Sequence, residues 1–371
     1  MKKNHIIHIT QSLGGVETAV RNIVENIDDT QFLSSVITIQ NLEIYSKSGE
    51  KIPCYKIPMN RGISPVKDLQ SYLKILHLVK KLKPDLIHCH SSKGGYFGRL
   101  IGKQLQIPVA FTPHCFAFQS TNSFLTKTIY TILEYLVKPF TTKIIACSES
   151  EKNIAHKVLT FNENKVVVWK NCLPEKCFTF KKTIIYDFPY ICSIGRPSYQ
   201  KNLEMLIKVM SEIKKRGISL KLVQLGVGHY SPFKAKIEKI IKDCNLENDI
   251  ILKEWCSHQE TLNILSQSKL FVLSSRYEGL PYSVIEAFAL GKAVVATNVN
   301  GTKDIIDNNI NGYLTQHDDY NDMAEKILKV LQSEKIKTTF ESEAKQSYRD
   351  KYDTKKQIQY LEKIYNELIR I

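Results

Sequence analysis

The sequence predicts an α/β protein built from two doubly wound, parallel-sheet domains facing a central cleft. Three observations lead there. At 371 residues the chain is too long for one small core. Short β-rich runs alternate with helix-spaced runs from end to end. The alternation breaks once, over Asn171–Pro189, where no period holds, and then restarts. The expected domains are 1–178 and 184–352, followed by a C-terminal helix, 353–371, that can pack back on the first domain.

In the first half, His5–Thr10 alternates and is rich in β-formers. Gln11-Ser12-Leu13-Gly14-Gly15 breaks it, and Glu17–Ile27 spaces its apolar residues as a helix does. Gly14 and Gly15 would let a ligand approach the backbone closely, although a lone Gly-Gly by itself reads first as a plain tight turn. Strands follow at Phe32–Gln40 and Ile52–Ile57. Val66–Leu82 is an amphipathic helix set about with Lys67, Lys74, Lys80, Lys81 and Lys83, and Pro84-Asp85 stops it. Leu86–Cys89 is a strand, His90–Gly95 a polar glycine turn and Tyr96–Leu105 a helix. Val109–Thr112 is a strand that ends at Pro113-His114-Cys115. His8, His90 and His114 therefore lie in or just past strands. In an open parallel sheet the carboxyl ends of strands share the edge where ligands bind. His114, beside its proline, falls on that edge, while a structural role competes for all three histidines. Leu125–Phe140 is a strongly apolar helix with Lys127, Lys138 and Lys143 at its ends. It is either a core helix or a face lying on anionic lipid. Lys143–Ser148, Ser150–Val158 and Val166–Trp169 read as strand, helix and strand.

The second half opens with strand Tyr190–Ile194, the turn Gly195–Asn202 and helix Leu203–Arg216. Arg196 and Lys201 stand five residues apart at this strand-to-helix junction. They suit a pair of phosphates, one as a bidentate fork and one as a point charge. Leu220–Leu225 and Ile250–Leu252 are strands, and Lys234–Cys244 and Thr261–Ser266 are helices. Leu270–Leu273 is a strand that turns through Arg276–Pro281 into helix Ser283–Leu290, which Gly291 ends. Pro281 suits the first helical position. The free amides and dipole at that helix start favour an anion such as phosphate. Glu278 and Glu286 bracket the site and would repel phosphate, so sugar hydroxyls are their natural partners. Two solvated acids are the plainer alternative. Ala293–Thr297 and Gly312–Leu314 are strands, with a helix expected to begin at Lys303-Asp304. Met323–Gln332, Thr339–Tyr348 and Lys355–Ile371 are helices.

Composition narrows the class. Hydrophobic residues at 43% and charged residues at 24% are those of a soluble globular protein. No apolar run reaches the roughly 18 residues that span a bilayer. MKKNHIIHITQ reads as a first strand and not a signal peptide. Nine cysteines without a C-x-x-C pair suggest reduced thiols in a cytoplasm. The net charge of +15 is uneven: residues 1–185 hold 25 Lys and Arg against 13 Asp and Glu. Such a surface can face anionic lipid or a phosphorylated substrate. Nucleic acid ranks lowest, because no zinc-finger spacing, RNP-like strand or Arg-rich arm is present.

At this point the chain resembles glycosyltransferase family 4, of the GT-B architecture with two Rossmann-like domains. The residues that carry the resemblance are Glu278-x7-Glu286 within EGLPYSVIEAFALGKAVVAT and Gly195-Arg196-x4-Lys201-Asn202. Gly14-Gly15-Val16-Glu17, HCHSSKGGYFGRL and FTPHCFAF add to it. The last two look like the branch that builds bacterial capsule and O-antigen polysaccharides. The resemblance implies a retaining hexosyltransferase with a nucleotide-sugar donor and a saccharide acceptor, expected to be lipid-linked. By the same resemblance Arg196 and Lys201 hold the donor diphosphate, and the amides of Gly279 and Leu280 assist. Glu286 bonds the ribose hydroxyls, Glu278 lies near the hydroxyls of the transferred sugar, and His114 lies against the donor sugar. Gly14 and Gly15 close on the phosphates. No cofactor or metal is expected, in keeping with the lack of a D-x-D-like site in the turns. The turn after Ile250 reads Glu254-Trp255 where the family usually has a glycine, which leaves the base open. The expected location is cytoplasmic and peripheral on the inner membrane face. A nucleotide-sugar epimerase of the same architecture and a non-catalytic binder at an anionic surface are the competing readings.

Overall fold

The computed structural model describes residues 3–11, 14–60, 62–228, 231, 233–254 and 256–370. The chain divides into two compact units, 1–172 with 354–371, and 173–353.

The first unit is a seven-stranded sheet. Its elements run β1 (Asn4–Thr10), α1 (Gly15–Asn26), β2 (Phe32–Thr38), β3 (Cys54–Lys56), α2 (Pro65–Leu82), β4 (Leu86–His90), α3 (Ser92–Leu105), β5 (Val109–Thr112), α4 (Phe124–Val137), β6 (Lys143–Ala146), α5 (Glu149–Lys157) and β7 (Val166–Val168). The strand order is β3-β2-β1-β4-β5-β6-β7, parallel throughout. Successive side chains of a strand point to opposite faces, and the core divides accordingly. Ile7, Ile9, Ile87 and Cys89 pack with Ile75, Val79, Phe97 and Ile101 of α2 and α3. Ile6 and Leu86 pack on the other face with Ile23 of α1 and with Ile358, Leu361 and Tyr365 near the C-terminus.

The second unit continues with β8 (Tyr190–Ile194), α6 (Leu203–Lys215), β9 (Lys221–Leu225), α7 (Lys234–Asp243), β10 (Ile250–Lys253), α8 (His258–Gln267), β11 (Phe271–Leu273), α9 (Tyr282–Ala289), β12 (Val294–Thr297), β13 (Gly312–Thr315), α10 (Tyr320–Gln332) and α11 (Glu334–Lys351). Its six strands are ordered β10-β9-β8-β11-β12-β13, again parallel. Ile191, Leu222, Val272 and Val295 face Leu206, Met210 and Ile327 in its core. The last helix, α12 (Thr354–Ile369), belongs to the first unit. There the Trp169 indole donates to the Gln357 carbonyl at 2.8 Å, and Glu362 accepts from the Asp28 amide at 2.8 Å.

Several local expectations need correction. No helix begins at Lys303-Asp304, where the backbone runs through turns. Thr302 folds back there, with its hydroxyl on the Val299 carbonyl at 2.9 Å and its oxygen accepting from the Val299 amide at 3.2 Å. The glycine turn after β4 is already helix, since α3 starts at Ser92. Gly94 and Gly95 serve close packing there. A Cβ on Gly94 would lie 2.7 Å from the Ile9 carbonyl oxygen, and one on Gly95 would strike the Phe111 ring. Pro281 caps α9 from one residue outside, with extended backbone. Among the described residues no helix is long and apolar enough to cross a membrane.

Candidate active site

In each sheet the order reverses direction between two neighbouring strands, and ligands of open α/β sheets bind at the carboxyl ends flanking that point. In the second unit those strands are β8 and β11. The loops that leave them are the two that carry the motifs: Gly195–Asn202 after β8 and Ser274–Pro281 after β11. Topology therefore brings together two stretches about eighty residues apart.

The loops are bound to each other. The Arg276 amide donates to the Gln200 carbonyl at 2.8 Å, and the Arg276 guanidinium donates to the Tyr199 carbonyl at 2.8 Å while lying 4.5 Å over the Tyr199 ring. The Ser274 hydroxyl donates to the carbonyls of Lys201 and Asn202 at 2.9 and 3.0 Å. At the centre Lys201 Nζ lies 2.7 Å from Glu278 Oε1. The same oxygen accepts from the Ser275 hydroxyl at 2.6 Å, and Glu278 Oε2 accepts from the Gln200 amide at 3.2 Å. Glu278 is only 7% exposed. A buried carboxylate is tolerated when it is paired and hydrogen-bonded, and here three side chains donate to it.

Two glycines are fixed by this packing. Gly301 has φ +86°, and a Cβ on it would lie 2.8 Å from both Glu278 Cβ and the Gly279 carbonyl oxygen. Gly195 lies against Lys201, whose Cγ and Cδ would stand 2.9 Å from an added Cβ. Arg196 is half-buried on the same loop, its amide nitrogen 3.7 Å from where a Cβ on Gly226 would be. Glu286 lies a helical turn and more beyond Pro281 on α9 and is also 7% exposed. Its Oε1 is 2.8 Å from Nε2 of His258, at the start of α8. That hydrogen bond raises the His258 pKa above its ordinary value against the opposing effect of burial. The sequence reading missed Gln200, Ser275 and His258. Nothing in their spacing marks them, because they matter through loop-to-loop contact. Trp255 and the expectation attached to it lie outside the described residues, as do Ser12 and Leu13.

In the first unit Gly14 caps α1 with φ +76° and open space around its Cβ position, so conformation and not crowding calls for glycine. Gly15 is the first residue of α1. His114 follows β5, also in the left-handed region at φ +50°, with Cys115 at +85°. Such backbone is costly for non-glycine residues. Glu151 holds it: one carboxylate oxygen accepts the Cys115 amide at 2.6 Å and the other the Cys147 amide at 2.8 Å. His114 is not alone. His8 Nδ1 lies 3.2 Å from His90 Nε2, and His90 Nδ1 lies 3.2 Å from His114 Nε2. His88 packs against the group, its ring centroid 4.0 Å from that of His90 and 5.4 Å from that of His8, while its nitrogens bond Tyr365 at 2.6 Å and Thr112 at 2.9 Å. Burial depresses all four imidazoles, His8 to about 3, His114 to about 4, and His88 and His90 well below 6.5. Nitrogens of His8, His88 and His90 lie within 4.8 Å of one another. Spacing alone would admit a metal, but hydrogen bonds to neighbouring rings and hydroxyls already occupy most of these nitrogens. His88 was missed by the sequence reading. The signal was the period of two in His88-Cys89-His90, which puts both histidines on one sheet face beside His8, the register partner of His88.

Two doubly wound parallel units are the architecture of glycosyltransferases of the GT-B class. Residues 13–175 match the family described as Glycosyltransferase Family 4, and residues 176–347 match Glycosyl transferases group 1. The chain belongs to glycosyltransferase family 4. It is 25% identical over 379 residues to the UDP-Gal:alpha-D-GlcNAc-diphosphoundecaprenol alpha-1,3-galactosyltransferase of Escherichia coli, covering 98% of this chain and 96% of that one. A capsular polysaccharide biosynthesis glycosyltransferase of Staphylococcus aureus is 26% identical, with 89% and 90% covered. In fold the chain is similar to sucrose-phosphate synthase from Thermosynechococcus elongatus, with a TM-score of 0.85, 17% identity, and 99% and 100% covered.

Proposed function

We propose that this glycosyltransferase moves a hexose, with retention, from a nucleotide-sugar donor to a lipid-linked saccharide in the synthesis of a cell-surface polysaccharide such as O-antigen or capsule. The observation that carries it is the contact between Lys201 and Glu278 at the switch point of the second sheet. Arg196 and Lys201 hold the diphosphate, with the amides of Gly279 and Leu280 at the start of α9. Glu278 takes hydroxyls of the transferred sugar and Glu286 those of the ribose. Gly14 and Gly15 approach the phosphates, and His114 lies against the sugar. The bond from the anomeric carbon to the diphosphate breaks and the acceptor oxygen bonds to that carbon on the same face. The acceptor proton leaves with the diphosphate. Cations and helix amides preorganised toward the departing charge stabilise it, so transfer is expected to persist in chelator. The lipid-linked acceptor is inferred from the E. coli relative, which by its name acts on a diphosphoundecaprenol-linked sugar.

Reaching such an acceptor calls for a membrane surface, and α4 offers a face. Leu125, Ile129, Ile132 and Leu136 form one stripe, 69, 39, 52 and 60% exposed, at the spacing of one helix face. Its opposite side is pinned by Glu134, which lies 2.9 Å from the buried Arg99 of α3. The excess positive charge of residues 1–185 suits an anionic bilayer, so we place the enzyme peripherally on the inner membrane face. A panel of labelled nucleotide sugars, run with and without diphosphate-lipid-linked sugars, tests the whole reading. Acceptor-dependent transfer with an unchanged anomeric configuration is expected. Inversion, or donor conversion without acceptor as an epimerase would give, refutes it.

A further inference from the structure

The histidines of the first unit form a line. His8 sits in β1, His90 at the end of β4 and His114 past the end of β5, and 3.2 Å hydrogen bonds link the first to the second and the second to the third. His8 and His90 are fully buried, and His114 is partly buried. A neutral imidazole has one N–H and one lone pair. A hydrogen bond between two such rings needs one of each, so the direction of donation must be the same along the line. Only two arrangements exist.

In the inward one, His114 Nε2 donates to His90 Nδ1, and His90 Nε2 donates to His8 Nδ1. The proton of His8 then sits on Nε2, which is buried and meets no partner among the described residues. In the outward one, His8 Nδ1 donates to His90 Nε2, and His90 Nδ1 donates to His114 Nε2. His8 Nε2 is then a bare lone pair. An orphaned buried N–H is rarer and costlier than an under-used acceptor, so burial of His8 selects the outward direction. Neutrality is secured by the same burial, which depresses every ring in the line.

We infer that His8 and His90 are positioning residues that hold His114 as the Nδ1–H tautomer, making it a neutral hydrogen-bond donor and not a base. Among the described residues, His114 Nδ1 has no partner of its own. Its natural partner is an acceptor oxygen on the donor substrate, such as a sugar hydroxyl. This last step rests on the reading that His114 lies against the donor sugar. The tautomer itself does not.

Long-range ¹⁵N–¹H correlation on the full chain labelled at histidine tests the tautomer directly, with His114→Gln to assign the ring. At neutral pH the expected spectrum shows Nδ1 protonated and Nε2 bare. A protonated Nε2, alone or with Nδ1, overturns the inference. His90→Asn retains an amide donor near the Nδ1 position and should keep the tautomer and most of the transfer rate. His90→Asp offers only an acceptor and should move the proton to Nε2, with transfer falling about 100-fold. An unchanged tautomer in His90→Asp also overturns it. Should that variant fail to fold, the wild-type spectrum still decides. Full transfer by His114→Ala would defeat the sugar-contact reading while leaving the tautomer result intact.

Discussion

Lys201 Nζ and Glu278 Oε1 are 2.7 Å apart, although the residues stand on different loops, one after β8 and one after β11. Each neutralises the other before any donor arrives. In the proposed donor site, the pair sets the charge that the diphosphate meets.

Replacing Lys201 with Ala removes the cation and leaves Glu278 buried with Ser275 and Gln200 as its remaining donors. A drop of about 10²–10³ in kcat/KM is expected, with a stability loss of about 1–3 kcal/mol from the weakened carboxylate. Steady-state kinetics beside thermal unfolding separates the two. Unchanged kinetics in Lys201→Ala combined with Arg196→Ala would end the account of the diphosphate.

Gly301→Ala should harm the site from a distance in sequence. The new methyl would meet the Glu278 side chain and the Gly279 carbonyl at 2.8 Å, on backbone at φ +86°. The φ cost alone is about 1–2 kcal/mol, a fall in Tm of about 2–8 °C in a unit of this size. Calorimetry with a nucleoside diphosphate should show weaker binding as well. A variant with wild-type Tm and affinity would contradict the packing.

Acid should unfold the first unit ahead of the second. The unfolded histidines take up protons as pH falls below about 6.5. Folded His114 resists until about 4 and His8 until about 3. Between those limits the unfolded state binds more protons, so stability falls with pH. The pair of His258 and Glu286 in the second unit has the opposite sign. Its raised pKa adds stability that is complete below about 6.5 and lost as pH rises through the folded value. Unit-specific fluorescence during an acid titration checks both. A first unit that outlasts the second below pH 6 would refute the assignment.

The stripe on α4 can be tested without touching the site. Ile132→Glu with Leu136→Glu places charge on exposed positions, so Tm should hold within about 1–2 °C, as for surface changes of roughly 0.5 kcal/mol. Flotation with anionic vesicles should be abolished, since each buried CH₂ contributes about 0.8 kcal/mol to membrane affinity. Binding by the double variant equal to wild type would remove α4 from the membrane proposal.

Much of the organisation was legible in the chain itself. Strands of three to seven residues separated by helix-spaced runs are a local pattern, so both sheets and nearly all helices could be placed from it. Arg196 and Lys201 stood out by their spacing at a strand-to-helix turn, whereas Glu278 and Glu286 read on spacing alone as solvated acids and gained a role only from the resemblance to glycosyltransferase family 4. The false helix start at Lys303 had acceptable local propensity, but side-chain bonds from Thr302 turned the backbone instead. The first turn of α3 was misread because Gly94 and Gly95 look like a loop until the neighbouring strands crowd them.

What the sequence determined alone was periodicity and local charge: two doubly wound halves, cations and acids at turns, an uneven positive surface. Tertiary structure decided which of those groups meet. Strand order put the loops of β8 and β11 side by side, joined Lys201 to Glu278, seated Gly301 against Glu278, and aligned His8, His90 and His114. The physical reason is that a hydrogen bond reaches about 3 Å, and no spacing rule along the chain reports a distance between residues that only the order of strands makes neighbours.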